Sequence, residues 1–162
     1  MKKPLIALLI ILPVYLAFSL YFLDKEYFIS PVGYERDFVI RNDSRGEGNF
    51  AANRSGNRVH EGLDLLAPLG APVLAARSGL VTAARQSRGM GKFVIIQHAG
   101  DIKTVYGHLS EIYVTEGEFV RQSAPVGAVG KTGNAGSREI LAHLHFEVRK
   151  NNQPQDPLVY LE

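Results

Sequence analysis

The sequence contains no cysteine in its 162 residues. This absence excludes disulfide bonds, a thiolate metal site and a lipid attached through a cysteine side chain. Beyond Lys2 and Lys3 the chain also lacks an excess of either charge. These two are among its 18 basic residues, so the remainder carries 16 basic against 16 acidic residues. A formally neutral surface has no basic footprint for nucleic acid, and we expect no nucleic-acid partner.

Helical periodicity is missing after residue 24, as are internal repeats and low-complexity tracts. Glycine and proline instead separate short β-branched runs at residues 72–75, 79–82, 92–96, 102–106, 112–114, 125–127 and 143–148. Strands between turn residues at this spacing are typical of an all-β sandwich or barrel. We therefore predict an all-β, mostly antiparallel domain over residues 49–162, almost free of helix.

One long hydrophobic run stands at the start of the chain. The 20 residues 4–23 carry no charge, and as a helix they would span about 30 Å, the thickness of the bilayer's hydrocarbon core. Lys2 and Lys3 before the run orient the N-terminus toward the cytoplasm. We predict an uncleaved transmembrane anchor over residues 1–24, with the domain outside the cytoplasmic membrane; a cleaved signal peptide, and thus a secreted domain, is the alternative. Residues 25–48, polar and mixed in charge, are predicted to be a linker and the approach segment to the domain.

Four of the five histidines and one nearby carboxylate fall in three short segments of the domain: His60 with Asp64, His108, and His143 with His145. Catalytic zinc sites take three ligands from such side chains and leave a fourth position for water. Several imidazoles and a carboxylate gathered in this way indicate a metal or catalytic site. His98 is predicted to be structural, at the end of a strand that turns at residues 99–100.

Alternation along residues 142–148 predicts which side chains share a strand face. His143, His145 and Glu147 fall on one face, and three apolar side chains fall on the core face. The two imidazoles would lie about 6.6 Å apart along the strand. The pattern leaves open which of the two histidines binds a metal.

The pair His60 and Asp64 requires a bend in the chain. On a straight strand the two residues would lie about 13 Å apart, too far to share one ion. Gly62, between them, has the backbone freedom that a bend requires. We therefore predict a turn at Gly62 that brings the imidazole and the carboxylate together.

Five motifs occur in order: RVHEGLD at 58–64, APLGAPV at 67–73, YGHLS at 106–110, GKTG at 130–133 and HLHFEVR at 143–149. In order, spacing and residue types they resemble the lysostaphin and LytM type of zinc peptidoglycan endopeptidases, peptidase family M23. The resemblance covers about residues 50–161. It implies an antiparallel β domain of the duplicated hybrid motif type with a substrate groove. It further implies one zinc ion held by His60, Asp64 and His145, with His108 and His143 as the catalytic pair.

The resemblance implies a membrane-anchored zinc metalloendopeptidase that hydrolyses stem peptides or cross-bridges of peptidoglycan. One of His108 and His143 would act as general base and the other would donate to the oxyanion. Some relatives have lost their ligands and activate other cell-wall hydrolases, so a non-catalytic wall-binding regulator or amidase activator is an alternative. Two histidines and a carboxylate also form the facial triad of non-haem Fe(II) oxygenases. Residues 134–142 are longer and more charged than the resemblance suggests, and we expect them to reshape one groove wall.

Overall fold

The structure, a computed structural model, describes residues 11–13, 15, 27–33, 38–54 and 56–161. The predicted all-β architecture is confirmed, and its strand pairs are antiparallel. Within residues 27–161, the described helical elements are two 3₁₀ turns, Gly133–Gly136 and Pro157–Val159. The predicted anchor over residues 1–24 lies largely outside the described residues. Among those that are described, no helix has the length and apolar character to cross a membrane.

One eight-stranded sheet forms the body of the domain. Its path runs in the order β1 (Val39–Ile40), β6 (Leu63–Leu66), β14 (His143–Lys150), β10 (Ile102–Leu109), β9 (Gly91–Gln97), β8 (Gly79–Ser87) and β12 (Phe119–Val120), with β15 (Gln153–Gln155) paired to β14. The predicted hairpin around residues 99–100 joins β9 and β10. The central position of β14 between β6 and β10 brings three distant stretches of sequence side by side.

Three smaller sheets complete the fold of the described residues. One contains β11 (Glu111–Ile112), β13 (Pro125–Ala128) and β7 (Pro72–Leu74), in that order. The other two are hairpins, β2 (Asn42–Asp43) with β3 (Gly46–Glu47), and β4 (Asn53–Arg54) with β5 (Arg58–Val59). The hairpins precede β6 in the sequence, and they flank the residues that form the candidate site.

Alternation along β14 divides its side chains as predicted. Leu144, Phe146 and Val148 are fully buried in the core. The Phe146 ring packs on the ring of Tyr106 in the neighbouring strand, with 5.4 Å between ring centroids. The opposite face of β14 is thereby fixed toward the groove, because successive side chains of a strand point to opposite faces.

His98 has the structural role that the sequence predicts. Its ring is buried, with Nδ1 at 2.9 Å from the Ser78 carbonyl oxygen and Nε2 at 2.8 Å from Thr104 Oγ1. The Thr104 hydroxyl in turn donates to the Tyr106 hydroxyl oxygen. Both ring nitrogens are therefore used within the core, as buried polar groups require.

The predicted linker over residues 25–48 does not hold for the part of it that is described. Phe28 and Val32 are buried in the main core, and β1 pairs with β6 to form an edge of the large sheet. The backbone also bonds to the domain, since Ile29 N donates to the Ala76 carbonyl. Composition suggested a spacer because polar residues dominate the segment, but its few apolar side chains are sufficient to dock it.

Candidate metal centre and groove

An open groove of about 1000 Å³ crosses the polar face of β14. The predicted site residues all line it: His60, Asp64, His108, His143 and His145. Asp64 comes from β6, His143 and His145 from β14, and His108 from β10, whereas His60 precedes β6 in a loop. Sheet order explains the convergence, because β14 lies between β6 and β10.

Three donor atoms meet at one point in the groove. His60 Nε2 lies 3.0 Å from Asp64 Oδ1 and 3.0 Å from His145 Nδ1, and the last two atoms are 2.9 Å apart. Ligand atoms bound tetrahedrally to one zinc ion at about 2.0–2.2 Å lie about 3.3–3.6 Å from one another. Small outward shifts would give this spacing, so the buried donors fit a single ion.

The bend between His60 and Asp64 occurs as predicted, but the reason for its glycine differs. Gly62 does not have the positive φ that favours glycine. A Cβ atom at this position would instead lie 2.3 Å from the Phe146 carbonyl oxygen. Glycine is therefore required because β14 approaches the backbone closely, and this approach brings Asp64 opposite His145.

Hydrogen bonds to the outer nitrogens orient two of these imidazoles. His60 Nδ1 lies 2.8 Å from the Asn49 carbonyl oxygen, an acceptor that assigns the proton to Nδ1 and leaves Nε2 for a metal. His145 Nε2 lies 3.0 Å from Glu147 Oε1. Arg149 donates from Nε to the other oxygen of Glu147 at 2.6 Å. Such outer partners fix the ring orientation of metal-binding histidines and raise their basicity.

The charges of the site favour a cation between its carboxylates. Burial alone would raise the pKa of Asp64, but the hydrogen bond from His145 and the contact with His60 hold that pKa well below its usual range. Burial alone would lower the pKa of His145, but Asp64 and Glu147 outweigh it and raise the pKa to about 9. In its protonated form His145 donates to both carboxylates, and a divalent cation at Nδ1 would take the place of one proton.

The remaining pair of imidazoles lies beside the three donor atoms. The ring centroids of His108 and His143 are 5.1 Å apart. His108 Nδ1 lies 2.9 Å from the Thr132 carbonyl oxygen, and His143 Nδ1 lies 2.7 Å from the Leu141 carbonyl oxygen. In each ring the carbonyl acceptor assigns the proton to Nδ1, so Nε2 remains for a reacting group in the groove.

Both imidazoles of this pair are neutral near pH 7. Burial, followed by the charges of His145 and His143, lowers the pKa of His108 to about 4. Burial also lowers the pKa of His143, against the opposing charge of Asp64. In the neutral state each Nε2 is an acceptor, because each Nδ1 carries the ring proton.

His108 occupies a bulge at the end of β10. The pairing of β10 with β9 shifts register between Tyr106 and Leu109, and His108 has a φ of 62°. A left-handed backbone is uncommon for residues other than glycine, and bulges often redirect side chains near active sites. The bulge turns the imidazole of His108 toward Thr132 and His143.

The motif at residues 130–133 supports this bulge. Thr132 Oγ1 accepts from Lys92 N at 2.9 Å and donates to the Leu109 carbonyl at 2.8 Å, so it joins β9 to β10. A Cβ atom on Gly130 would lie 2.2 Å from Ser110 N. The glycine therefore allows the motif to approach β10 closely enough for the Thr132 carbonyl to accept from His108.

Residues 134–142 form part of the groove wall, where the sequence predicts them. Asn134, Ala135, Ser137 and Ile140 line the groove. The segment is tied to the β2–β3 hairpin, because Leu141 N donates to Asp43 Oδ2 at 3.2 Å. The wall on this side is therefore built from two segments that are far apart in the sequence.

Sequence reasoning missed the arginines that contact Asp64. Arg41 falls in the predicted linker, and its guanidinium donates to Asp64 Oδ2 from Nε at 3.2 Å and from Nη2 at 3.0 Å. Arg54 also lines the groove, with Nη2 at 3.4 Å from the same oxygen. No local pattern identifies Arg41, because its partner lies 23 residues further along the chain.

Comparison with known proteins identifies the class of protein that this fold and this groove define. Residues 58–157 match the sequence model of Peptidase family M23. The chain belongs to this family of peptidases, and the resemblance inferred from the five motifs is confirmed. The matched region contains all five predicted site residues.

Individual relatives agree with this assignment. The chain is 40% identical over 115 residues to the lipoprotein NlpD/LppB homolog of Pseudomonas aeruginosa, a match covering 70% of the chain and 36% of the relative. It is 36% identical over 99 residues to the peptidoglycan DD-endopeptidase ShyB of Vibrio cholerae, covering 61% of the chain and 22% of the relative. The chain thus spans about a third or less of the length of these relatives.

A solved structure supports the fold. The catalytic domain of the antimicrobial peptidase lysostaphin from Staphylococcus simulans superposes with a TM-score of 0.61 at 28% identity. The match covers 73% of this chain and 91% of that domain. The antiparallel β fold is therefore like that of the lysostaphin catalytic domain.

Proposed function

We propose that this chain is a zinc-dependent endopeptidase that hydrolyses peptide bonds in the stem peptides or cross-bridges of peptidoglycan. The observation that carries the proposal is the convergence of His60 Nε2, Asp64 Oδ1 and His145 Nδ1 within about 3 Å, beside two further imidazoles. Two histidines and one carboxylate are a ligand set of catalytic zinc sites. The peptidoglycan DD-endopeptidase among the relatives supports the substrate class.

The proposed chemistry divides between the ion and two side chains. A bound zinc ion would polarise the scissile carbonyl and lower the pKa of water at its fourth position toward about 7. One of His108 and His143 accepts a proton at Nε2 as general base. The other is also neutral, with its proton on Nδ1 held by a backbone carbonyl, so it would have to take up a proton from solvent at Nε2 before it could donate to the developing oxyanion.

The proposed location is the outer side of the cytoplasmic membrane. An uncharged run over residues 4–23 supports an anchor there. The Pseudomonas relative is named as a lipoprotein, but the present chain has no cysteine for lipid attachment. Membrane association would therefore depend on the hydrophobic run, and the peptidoglycan peptides would reach the groove from the extracytoplasmic side.

The alternative function is activation of another cell-wall hydrolase without cleavage by this chain. It is favoured by a relative from Salmonella dublin that is named murein hydrolase activator NlpD, to which the chain is 32% identical over 114 residues. The complete donor set and the pair of neutral imidazoles favour catalysis. An activator has no need of a general base beside a metal site.

Digestion of purified peptidoglycan by the full chain in detergent tests the two functions. We expect new amino termini in the zinc-loaded sample, detected by mass spectrometry, their loss with a chelator, and their return when zinc is added back. The same digestion with a purified amidase present tests whether the chain activates that enzyme. Stimulated release of stem peptides by the amidase, with no new amino termini from the zinc-loaded chain alone, would contradict the peptidase function.

A further inference from the structure

A segment upstream of the family match fits tightly around Asp64. Arg41 N donates to the Asp64 carbonyl at 2.8 Å, and Asp64 N donates to the Gly48 carbonyl at 2.9 Å. Gly48 N in turn donates to the Arg41 carbonyl at 2.7 Å, so the three residues are joined by backbone hydrogen bonds. A Cβ atom on Gly48 would lie 2.8 Å from Asp64 Cβ, so only glycine permits this approach. Both the backbone N–H and the backbone carbonyl of Asp64 are therefore hydrogen-bonded to this upstream segment.

The side chain of Arg41 separates the roles of the two Asp64 oxygens. Oδ2 accepts from Arg41 Nε and Nη2, whereas Oδ1 lies against the nitrogens of His60 and His145. Both Arg41 and Asp64 are buried, with side chains 5% exposed. A planar guanidinium bound through two nitrogens fixes the orientation of the carboxylate, and a single ammonium would not.

The charge of Arg41 has a second partner. Its Nη1 donates to Asp43 Oδ1 at 2.6 Å, and the Asp43 side chain is 8% exposed. The guanidinium thus lies between two buried carboxylates, which together outweigh its charge. Because Asp43 shares the charge of Arg41, that charge neutralises Asp64 less than a guanidinium paired with Asp64 alone would.

On the basis of the zinc site proposed above, we infer that Arg41 is a positioning residue of the metal centre. Its guanidinium occupies Asp64 Oδ2, so that Asp64 presents only Oδ1 as a ligand. Asp43 orients the guanidinium for this task. Arg54 does not duplicate it, because its single contact with Oδ2 is 3.4 Å long and its side chain is 23% exposed. The metal centre therefore includes a residue outside 58–157, the residues that match the family model.

Zinc affinity of the full chain, measured by chelator competition, tests the inference. Arg41→Gln is expected to weaken zinc binding about 10- to 100-fold, the range typical of outer partners of metal ligands. Arg41→Lys should give an intermediate affinity, because it keeps the charge but not the paired contact. Arg85→Gln is the matched control, since Arg85 is exposed on β8 and packs on Phe93 outside the groove; we expect wild-type affinity.

Absorption spectra of the cobalt(II)-loaded protein separate positioning from a general structural role. Once Oδ2 is released, Asp64 can bind through both oxygens, so Arg41→Gln should weaken the visible band relative to the four-coordinate wild type. A structural role alone would lower the unfolding temperature of the metal-free chain and leave this spectrum unchanged.

A wild-type cobalt spectrum in folded Arg41→Gln, with or without weaker zinc binding, would overturn the inference. Should that variant not fold, a wild-type cobalt spectrum in Arg41→Lys would overturn it. Absence of zinc binding by the wild-type chain would instead contradict the proposed function.

Discussion

Replacement of His145 by alanine is expected to abolish both zinc binding and peptidoglycan cleavage. Its Nδ1 is one of the three converging donor atoms, and its Nε2 contacts the buried carboxylate of Glu147. The substitution leaves two protein ligands where a catalytic zinc site takes three. Metal analysis of the purified chain should fall from one zinc ion to none. New amino termini should fall to the level seen with chelator-treated wild type.

Folding of this variant needs its own control. Loss of one partner of a buried ion pair costs about 3–5 kcal/mol, and His145 faces both Asp64 and Glu147. His98→Gln alters another buried histidine, one that lies outside the groove lining. Circular dichroism should show both variants folded, with zinc retained in His98→Gln alone. Cleavage by a folded, zinc-free His145→Ala chain would contradict the proposed chemistry.

Replacement of His108 is expected to leave zinc bound while the rate of cleavage falls about 10²- to 10⁴-fold, the usual contribution of a general acid or base. His108 Nε2 is the ring nitrogen that its backbone contact leaves for a proton. Asparagine is the best replacement because it tolerates the left-handed backbone at this position, where φ is 62°. Cleavage rates at saturating substrate, together with zinc content, check the prediction.

His143→Ala provides the paired measurement. This residue has an extended strand backbone, so alanine introduces no strain there. Similar losses in His143→Ala and His108→Asn, with zinc retained, would support shared proton transfer. Unequal losses would identify the residue with the larger loss as the general base. If zinc is lost from either folded variant, that histidine binds the metal and the proposed division of roles is wrong.

Much of the fold followed from local pattern. Residues 143–148 alternate strictly between polar and apolar side chains, and the structure divides them between groove and core. The hairpin at residues 99–100 was predicted equally well, because a turn with Gly100 separates two β-branched runs. In both cases the information lies within one strand or one turn, so no tertiary knowledge was needed.

Other elements depend on contacts that local sequence does not contain. The strand β6 was missed because its four residues, flanked by Gly62 and Pro68, are too short for a clear period. The linker prediction failed at Phe28 and Val32, whose burial depends on a core formed much later in the chain. Arg41 resembles any surface arginine until β1 places it beside Asp64.

The site was predicted more completely than its supports. Histidine spacing located the five groove residues, and resemblance to a known family separated the expected ligands from the catalytic pair. The carbonyl groups of Asn49, Thr132 and Leu141, which determine the imidazole tautomers, have no side-chain signature. Backbone contacts of this kind become visible only when the chain is folded.

Anomalous diffraction at the zinc absorption edge, from crystals of the zinc-loaded full chain, locates the metal ion relative to the three donor atoms. We predict one peak about 2.0–2.2 Å from His60 Nε2, Asp64 Oδ1 and His145 Nδ1. A peak bound to other residues, no peak in the groove, or an iron signal at that position in protein purified without added metal would contradict the account.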